Sequence, residues 1–479
     1  MHRRWLHGLL CLGLVLGCDG DVGAPPPLFE GIVVARDLAT AGDLVLVAND
    51  VESALGAPSG AVPAETIHDL LVLSGDEDGL EQVGTFDAPQ GEDRRFARRV
   101  AVDESAELAF LALGDETDSG AVAIVDLADP SSPQGRGTIE VGHAVTGLAA
   151  QGGLLATVGP GGLELFDVSD PDAPLPLGAF DPTDDAGLSD VTIEGNLAYV
   201  AGTTATPPIL FLTPRMLIVD LGDPEAPVLL GEHRSTSGFQ ALGVAVEVRG
   251  ARAYLLADLG IDVVDVSDPR FPYGVGGVAP QIRPVAGLFT DLEVIGTVAL
   301  AATRAQGVSA IDLGFPPAPA LLGVLPGTSA VGSRAASVAV GGRFAHVALD
   351  RAGIRSVLVD DDADRVATLV DVCPGDSDPE QADVDLDGVG DACDLCIEVW
   401  DPAQVDADAD GYGNRCDADL DGSGFVDFDD YESLRASLSS ADPVADLDGN
   451  GVVDLADLAR MRRTFFAPPG PSARASASP

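Results

Sequence analysis

Four twelve-residue segments near the C-terminus carry oxygen-bearing side chains at one shared spacing. They span residues 383–394, 406–417, 419–430 and 446–457, and each has such side chains at positions 1, 3, 5, 9 and 12. Each also has glycine at position 6. A glycine there permits the sharp turn that brings five side chains and the carbonyl oxygen of position 7 around one hard cation. The pattern therefore predicts about four Ca²⁺ sites.

The predicted ligands are side chains and position-7 carbonyls. The side chains are Asp383, Asp385, Asp387, Asp391 and Asp394 in the first loop, Asp406, Asp408, Asp410, Asn414 and Asp417 in the second, Asp419, Asp421, Ser423, Asp427 and Asp430 in the third, and Asp446, Asp448, Asn450, Asp454 and Asp457 in the fourth. The carbonyl ligands belong to Val389, Tyr412, Phe425 and Val452. Because every loop ends in aspartate rather than in the usual bidentate glutamate, we expect weak sites with Kd on the order of 10⁻⁴–10⁻³ M, as in extracellular modules. A solvated acidic linker is the alternative, but it does not explain four glycines in register.

Position 8 separates these loops into two kinds. It is Gly390 and Gly413 in the first two loops, each followed closely by a cysteine. In the last two loops it is Val426 and Val453, and apolar residues at helical spacing follow. We therefore predict an irregular arm built around metal ions, followed by a compact helical module.

Charge limits the function classes open to this chain. The 479 residues have a formal net charge of −51, and all 26 basic residues are arginine. The lack of lysine excludes Schiff-base lysines and phosphate-binding loops that end in Gly-Lys-Ser/Thr. Nucleic acid is excluded as a partner, because binding it requires clustered cationic side chains. Residues 371–466 alone contain 26 acidic and 5 basic residues, so divalent cations are the expected counter-charge.

The N-terminus has the pattern of an export signal. Arg3 and Arg4 precede an apolar run that is too short to span a membrane. The run ends Val15-Leu16-Gly17-Cys18, which resembles the lipobox of bacterial lipoproteins. The resemblance implies a signal peptide over 1–18, a linker over 19–29, and a lipid on Cys18 that anchors an exported, outer-membrane or cell-surface protein. A cleaved signal with a bystander cysteine is the alternative.

The remaining four cysteines lie together in the acidic segment. They are Cys373, Cys393, Cys396 and Cys416. An even number of cysteines in an exported chain predicts two disulfides, for which three pairings are possible.

A repeat occupies most of the chain before the acidic segment. Short apolar strands end in aspartates that are followed by turn residues, commonly an Asp-Pro step; these aspartates are Asp126, Asp167, Asp220, Asp265, Asp312 and, less clearly, Asp360. Their separations of 41, 53, 45, 47 and 48 residues suit one four-stranded blade each. With a degenerate first unit, the count predicts a seven-bladed β-propeller over residues 30–370. An open β-solenoid or an array of sandwiches is the alternative.

The repeat motifs, such as "GIDVVDVSDP", resemble the LVIVD-repeat family of bacterial surface proteins. The resemblance implies a propeller at the cell surface and supplies no catalytic residue. We find no local catalytic motif either, so no catalytic residue is predicted. The insertions at 49–69 and 203–214 are the predicted binding loops, because added length in a blade connection alters the face of the ring at little cost. The predicted fold class is mainly β: a seven-bladed propeller followed by a calcium-loop arm and a small α-helical module.

The acidic segment carries two further resemblances. Residues 371–394 and 396–417 align at an offset of 23 and resemble thrombospondin type-3 repeats over 371–417; this resemblance implies the pairings Cys373–Cys393 and Cys396–Cys416. Residues 418–466 resemble a type I dockerin, a paired EF-hand-type module that docks on a cohesin. Phe428-Asp429 and Leu455-Ala456 replace residues that are often Ser or Thr there, which weakens the expectation of a cohesin-like partner. The Pro/Ser/Ala-rich tail 467–479 is predicted to be disordered.

Two functions follow from these observations. The first is an exported, lipid-anchored calcium-binding protein whose propeller binds or adheres to an extracellular protein or glycan. The second is a propeller hydrolase or lyase that acts on extracellular polysaccharide and is recruited through the dockerin-like module. The first is favoured because no acid–base pair can be named on the propeller.

Overall fold

A computed structural model describes most of the chain between residues 35 and 474. The described residues are 35–49, 68–76, 79–88, 96–114, 120–182, 187–206, 211–235, 243–257, 259–278, 288–328, 334–349 and 353–474. The predicted lipid attachment site, Cys18, and the insertion segments 50–67 and 207–210 lie outside these ranges. The chain divides into two compact units, Met1–Val359 and Asp360–Pro479, so the division comes at Asp360 rather than at residue 371.

The first unit consists, in its described residues, of seven antiparallel sheets, six with four strands and one with three. Blade 1 contains β1 (Ala35–Ala41), β2 (Leu44–Asn49), β3 (Leu70–Asp76) and β4 (Gly79–Phe86), and blade 2 contains β5 (Phe96–Asp103), β6 (Leu108–Gly114), β7 (Gly120–Asp126) and β8 (Gln134–Val141). Blade 3 contains β9 (Gly147–Gln151), β10 (Leu154–Gly159), β11 (Gly162–Asp167) and β12 (Leu175–Phe180), and blade 4 contains β13 (Leu188–Glu194), β14 (Leu197–Thr206), β15 (Phe211–Asp220) and β16 (Val228–Arg234). Blade 5 contains β17 (Gly243–Arg249), β18 (Arg252–Ala257), β19 (Gly260–Asp265) and β20 (Tyr273–Val278), and blade 6 contains β21 (Phe289–Ile295), β22 (Val298–Thr303), β23 (Gly307–Asp312) and β24 (Ala320–Val324). Blade 7 contains β25 (Ser337–Gly341), β26 (Phe344–Ala348) and β27 (Ile354–Leu358).

The seven sheets close into a ring. The first strand of each blade contacts the first strand of the next, and β25 returns to contact β1. The Leu38 N–H donates to Ser337 Oγ at 3.2 Å across this closure, and Thr40 Oγ1 donates to the Val340 carbonyl at 2.9 Å. The predicted seven-bladed propeller is therefore confirmed, and the open arrays are excluded.

The middle strands of the blades are buried on both faces. All seven residues of β6 and all six of β22 are buried. The outer strand β12, by contrast, has no buried residue. Each blade packs against two neighbours, so its inner strands become nearly continuous apolar runs, as in any sheet that is covered on both sides.

The repeat motif also holds adjacent blades together. Five predicted aspartates end the third strands β7, β11, β15, β19 and β23. In blade 3, Asp167 Oδ1 accepts the Ser169 N–H at 2.9 Å and so fixes the following turn. A glycine in the outer strand then packs against a proline carbonyl in the turn of the next blade; these pairs are Gly84/Pro130, Gly137/Pro171, Gly178/Pro224, Gly231/Pro269 and Gly276/Pro316.

The sixth aspartate of the repeat, Asp360, differs from the others. It lies two residues beyond the end of β27 at Leu358 and begins the second unit. It therefore does not end a strand as predicted.

The second unit has little regular structure before two short helices, α1 (Phe428–Ala436) and α2 (Leu455–Thr464). Each helix begins with a capping box, formed by Asp427 with Asp430 and by Asp454 with Asp457. No helix among the described residues is long and apolar enough to cross a membrane.

The tail predicted to be disordered is ordered over residues 467–474. The Gly470 N–H donates to the Cys416 carbonyl at 3.0 Å, and the Ala473 N–H donates to the Asp394 carbonyl at 2.8 Å. These backbone hydrogen bonds join the segment to the acidic arm, although the segment contains few apolar residues. Residues 475–479 lie outside the described residues.

Candidate metal centres

The four predicted loops each gather carboxylates at one point. Three aspartates of each loop place ligand oxygens within 4.8 Å of one another: Asp383, Asp385 and Asp387; Asp406, Asp408 and Asp410; Asp419, Asp421 and Asp430; Asp446, Asp448 and Asp457. The position-6 glycines Gly388, Gly411, Gly424 and Gly451 all have φ between 85° and 96°, which glycine adopts without strain. The loops therefore have the local geometry for which their glycines were singled out.

The position-1 carboxylate organises every loop in the same way. The N–H of the position-6 glycine donates to it, at 3.0 Å from Gly388 to Asp383 Oδ2 and at 2.7 Å from Gly451 to Asp446 Oδ2. The position-12 carboxylate differs between the two kinds of loop. Asp430 uses both oxygens, accepting the Asp427 N–H at 2.7 Å and the Asp421 N–H at 3.1 Å. It thereby joins the loop to the start of α1.

In the first loop, position 12 leaves one oxygen without a donor. Asp394 Oδ1 accepts the Cys396 N–H and Gln404 Nε2, each at 2.7 Å, whereas Asp394 Oδ2 is buried and has no hydrogen-bond partner. Asp385 Oδ2 and Asp401 Oδ2 are likewise buried and have no hydrogen-bond partner. Asp394 and Asp401 are each only 1% exposed. Burying anionic oxygens without hydrogen-bond donors costs several kcal/mol, so the site fits a hard cation that prefers oxygen ligands.

Asp401 lies outside the twelve-residue pattern and was not predicted. Its N–H donates to Asp387 Oδ2 at 2.6 Å, which places it beside the loop of the preceding repeat. Its other oxygen lies 3.4 Å from Arg415 Nε. The signal that could have identified it is the Asp-Pro step at 401–402, which recurs at 378–379 in the 23-residue alignment.

A fifth cluster precedes the predicted loops. Asp360, Asp362 and Asp364 place ligand oxygens within 4.8 Å of one another, 23 residues before the equivalent residues of the first loop. This cluster was not predicted, because position 6 is Arg365 instead of glycine. Arg365 nevertheless adopts φ 71°. Extending the 23-residue offset upstream would have found the cluster.

The fifth cluster repeats the bonding pattern of the first loop. Asp371 Oδ1 accepts the Cys373 N–H and Gln381 Nε2, each at 2.8 Å. The Asp378 N–H donates to Asp364 Oδ2 at 3.0 Å. The atoms left buried without a partner are again three, Oδ2 of Asp362, Asp371 and Asp378, which are the positional equivalents of Asp385, Asp394 and Asp401.

Burial and mutual repulsion perturb these carboxyl groups. Burial raises the pKa of Asp417 to about 7. Burial, with a smaller contribution from the neighbouring Asp387, raises the pKa of Asp385 to about 6. A proton or a metal ion relieves the same repulsion, so the two compete for these loops.

Two disulfides brace the irregular arm. They join Cys373 to Cys393 and Cys396 to Cys416, which are the pairings that the thrombospondin-like resemblance implies. Position 8 of these loops packs against the sulfur atoms. A Cβ atom on Gly390 would lie 2.7 Å from Cys373 Sγ, and one on Gly413 would lie 2.7 Å from Cys396 Sγ. In the helical module, Val426 and Val453 at this position are completely buried with Leu434 and Met461.

The propeller contributes a separate candidate site. A polar cavity of about 100 Å³ is lined by Asp37, Arg99, Asp190 and Asp291, which come from the first strands of blades 1, 2, 4 and 6. Burial raises the pKa of Asp37 to about 6 and that of Asp190 to about 7. No residue here was predicted, because the four side chains are far apart along the chain and share no local motif.

Each of these aspartates also has a structural contact. Asp37 Oδ2 accepts the Val100 N–H at 3.0 Å, Asp190 Oδ2 accepts the Val246 N–H at 3.1 Å, and Asp291 Oδ2 accepts the Val338 N–H at 2.9 Å. Each bond joins one blade to the next. The three carboxylates that line the cavity therefore also hold adjacent blades of the ring together.

Comparison with known proteins shows the fold alone. No protein-family model matches the chain, and no curated protein sequence matches it. Among solved structures, it is similar to a chain of the mitotic checkpoint complex, with 14% identity and a TM-score of 0.50 over 72% of this chain and 99% of that one. It is also similar to the WD40 β-propeller domain of Doa1, with 13% identity and a TM-score of 0.47 over 72% and 97% of the two chains. Raptor from Chaetomium thermophilum shares 12% identity with a TM-score of 0.48 over 68% of this chain, which spans only 28% of Raptor.

Proposed function

We propose that the chain is an exported, lipid-anchored calcium-binding surface protein. The lipid is attached at Cys18, the propeller binds an extracellular protein or glycan, and calcium orders the C-terminal unit. The observation that carries the proposal is the set of buried carboxylate oxygens without hydrogen-bond donors in the acidic arm, at Asp385, Asp394 and Asp401 and at their equivalents 23 residues earlier. Five clusters, one more than predicted, are the proposed Ca²⁺ sites.

Calcium binding contributes to folding of this unit. A divalent ion offsets repulsion within each cluster, while the two disulfides hold the loops in place. At a calcium concentration ten times Kd, each site adds about 1.4 kcal/mol to the free energy of unfolding. The proposed partner of the helical module is a cohesin-like protein.

A polysaccharide hydrolase or lyase is the second candidate function. The cavity favours it in one respect, because Asp190 has a pKa near neutrality and could donate a proton. The hydrogen bond that Asp190 accepts from the Val246 N–H of the next blade gives this residue a structural role as well. If the wild-type protein cleaves a polysaccharide and Asp190→Asn does not, the result would support the hydrolase or lyase function.

Isothermal titration of the full chain with calcium tests the main proposal. We expect uptake at about five sites at millimolar calcium or below. Asp394→Asn should weaken or remove one site, whereas Glu398→Gln, an exposed change nearby, should leave all of them intact. Chelation should make residues 360–474 protease-sensitive while the propeller stays resistant. No calcium uptake at millimolar concentration, or equal cleavage with and without chelator, would refute the proposal.

A further inference from the structure

The helical module exposes an aromatic surface. Phe428, at the start of α1, packs edge-to-face against Phe465 and Phe466, which follow α2, with ring centroids 5.2 and 6.0 Å apart. Phe465 and Phe466 also pack edge-to-face at 4.8 Å. Phe428 and Phe466 are nevertheless 65% and 62% exposed. We call these three residues the phenylalanine patch. A clustered aromatic surface of this kind is typical of an interaction site.

Opposite charges flank the phenylalanine patch. Asp429 and Glu432, both exposed, lie in the first turns of α1, directly after Phe428. Arg462 and Arg463, also exposed, lie in the last turn of α2, directly before Phe465. Neither arginine has an ion pair among the described residues. The patch thus has an acidic side and a basic side within a unit that is otherwise strongly acidic.

This arrangement is complementary to itself. In a two-fold dimer the same surface meets itself, so the acidic start of α1 in one copy faces the basic end of α2 in the other, and the contact occurs twice. The phenylalanine patches then bury each other at the centre, where aromatic residues contribute most to affinity. An anionic membrane is a poorer occupant, because residues 371–466 carry 26 acidic and 5 basic side chains.

We propose that the phenylalanine patch is a homodimer interface of this chain. The proposal does not depend on the ligand of the propeller or on the lipid. It requires only the helical module, whose fold depends on its own apolar core and its loops.

Sedimentation equilibrium tests the dimer. The full chain carrying Cys18→Ser, to keep it free of lipid, is studied in millimolar calcium. We expect a reversible dimer whose Kd rises at least tenfold in Phe466→Ala. Phe271→Ala, which removes an exposed phenylalanine of the propeller, should leave the Kd unchanged. A monomeric wild type, or equal effects of the two substitutions, would overturn the proposal.

Charge reversal gives a second test. Arg462→Glu with Arg463→Glu makes both sides acidic, and Asp429→Arg with Glu432→Arg makes both sides basic, so each double variant should be monomeric. An equimolar mixture should form a heterodimer, because both contacts then pair opposite charges. Recovery in the mixture also shows that both variants are folded. If each double variant dimerises like the wild type, or if the mixture does not associate, the two-fold arrangement is wrong.

Discussion

Replacing Gly178 by alanine should destabilise the propeller through the contact between blades 3 and 4. A Cβ atom at this position would lie 2.5 Å from the Pro224 carbonyl oxygen, 2.7 Å from Pro227 Cδ and 2.8 Å from the Glu225 carbonyl carbon. All three atoms belong to a turn that is held by its own hydrogen bonds, so the blades must separate locally. Overpacking of this kind costs about 1–3 kcal/mol. At roughly 2 °C per kcal/mol for a domain of this size, Tm should fall by about 2–6 °C.

Gly323 provides the matched control. It lies in the outer strand of blade 6, and a Cβ atom there would meet nothing within 4 Å. Blade 7 has only three strands in its described residues and supplies no equivalent proline turn. Gly323→Ala should therefore be neutral, or stabilising by about 0.4–1 kcal/mol through the unfolded state. Far-UV circular dichroism with denaturant gives both free energies of unfolding. Agreement between the two variants within about 0.5 kcal/mol would refute the role of the glycine–proline contact.

Three further predictions concern the metal loops and the cavity. Asp401→Asn should weaken calcium binding at one site about tenfold, as measured by titration calorimetry, because it removes a buried charge contributed by the next repeat. Burial raises the folded-state pKa of Asp190 from 3.8 to about 7, so the native state binds more protons than the unfolded state between these values. The free energy of unfolding of the propeller, measured in chelator, should therefore fall as the pH rises from about 5.5 to 8. In Asp190→Asn, chemical denaturation should show a smaller fall over the same pH range. Gly390→Ala should loosen the first disulfide loop because its Cβ would lie 2.7 Å from Cys373 Sγ, whereas Gly375→Ala, where nothing lies within 4 Å, should not; the rate of proteolysis in calcium compares them.

Each of these expectations has a contrary result. Unchanged calcium affinity in Asp401→Asn would remove that residue from the site. Stability that rises between pH 5.5 and 8 would mean that Asp190 is not the buried acid described here. Equal proteolysis of the two glycine variants would show that the sulfur contact at position 8 is unimportant.

Features that repeat locally were predictable from the sequence. The blade-ending aspartates and their turns are set by neighbouring residues, so Asp167 and its equivalents were located and the number of blades followed. The position-6 glycines were predictable for the same reason, since a turn with positive φ selects glycine. The cavity was not predictable, because Asp37 and Asp291 meet only after the ring closes. The fifth cluster was missed because Arg365 adopts a conformation that its type disfavours.

The Asp378 N–H donates to Asp364, and the Asp401 N–H donates to Asp387. Neighbouring repeats of the arm are therefore joined at their metal loops. Each repeat supplies one acidic residue to the loop of the preceding repeat. This series ends at Gly424, which lies 23 residues after Asp401 and replaces the aspartate. An ion leaving one loop thus frees a residue that also belongs to the following repeat. We expect ions to be released in a linked succession along the arm, so its stiffness should change steeply over a narrow range of calcium concentration.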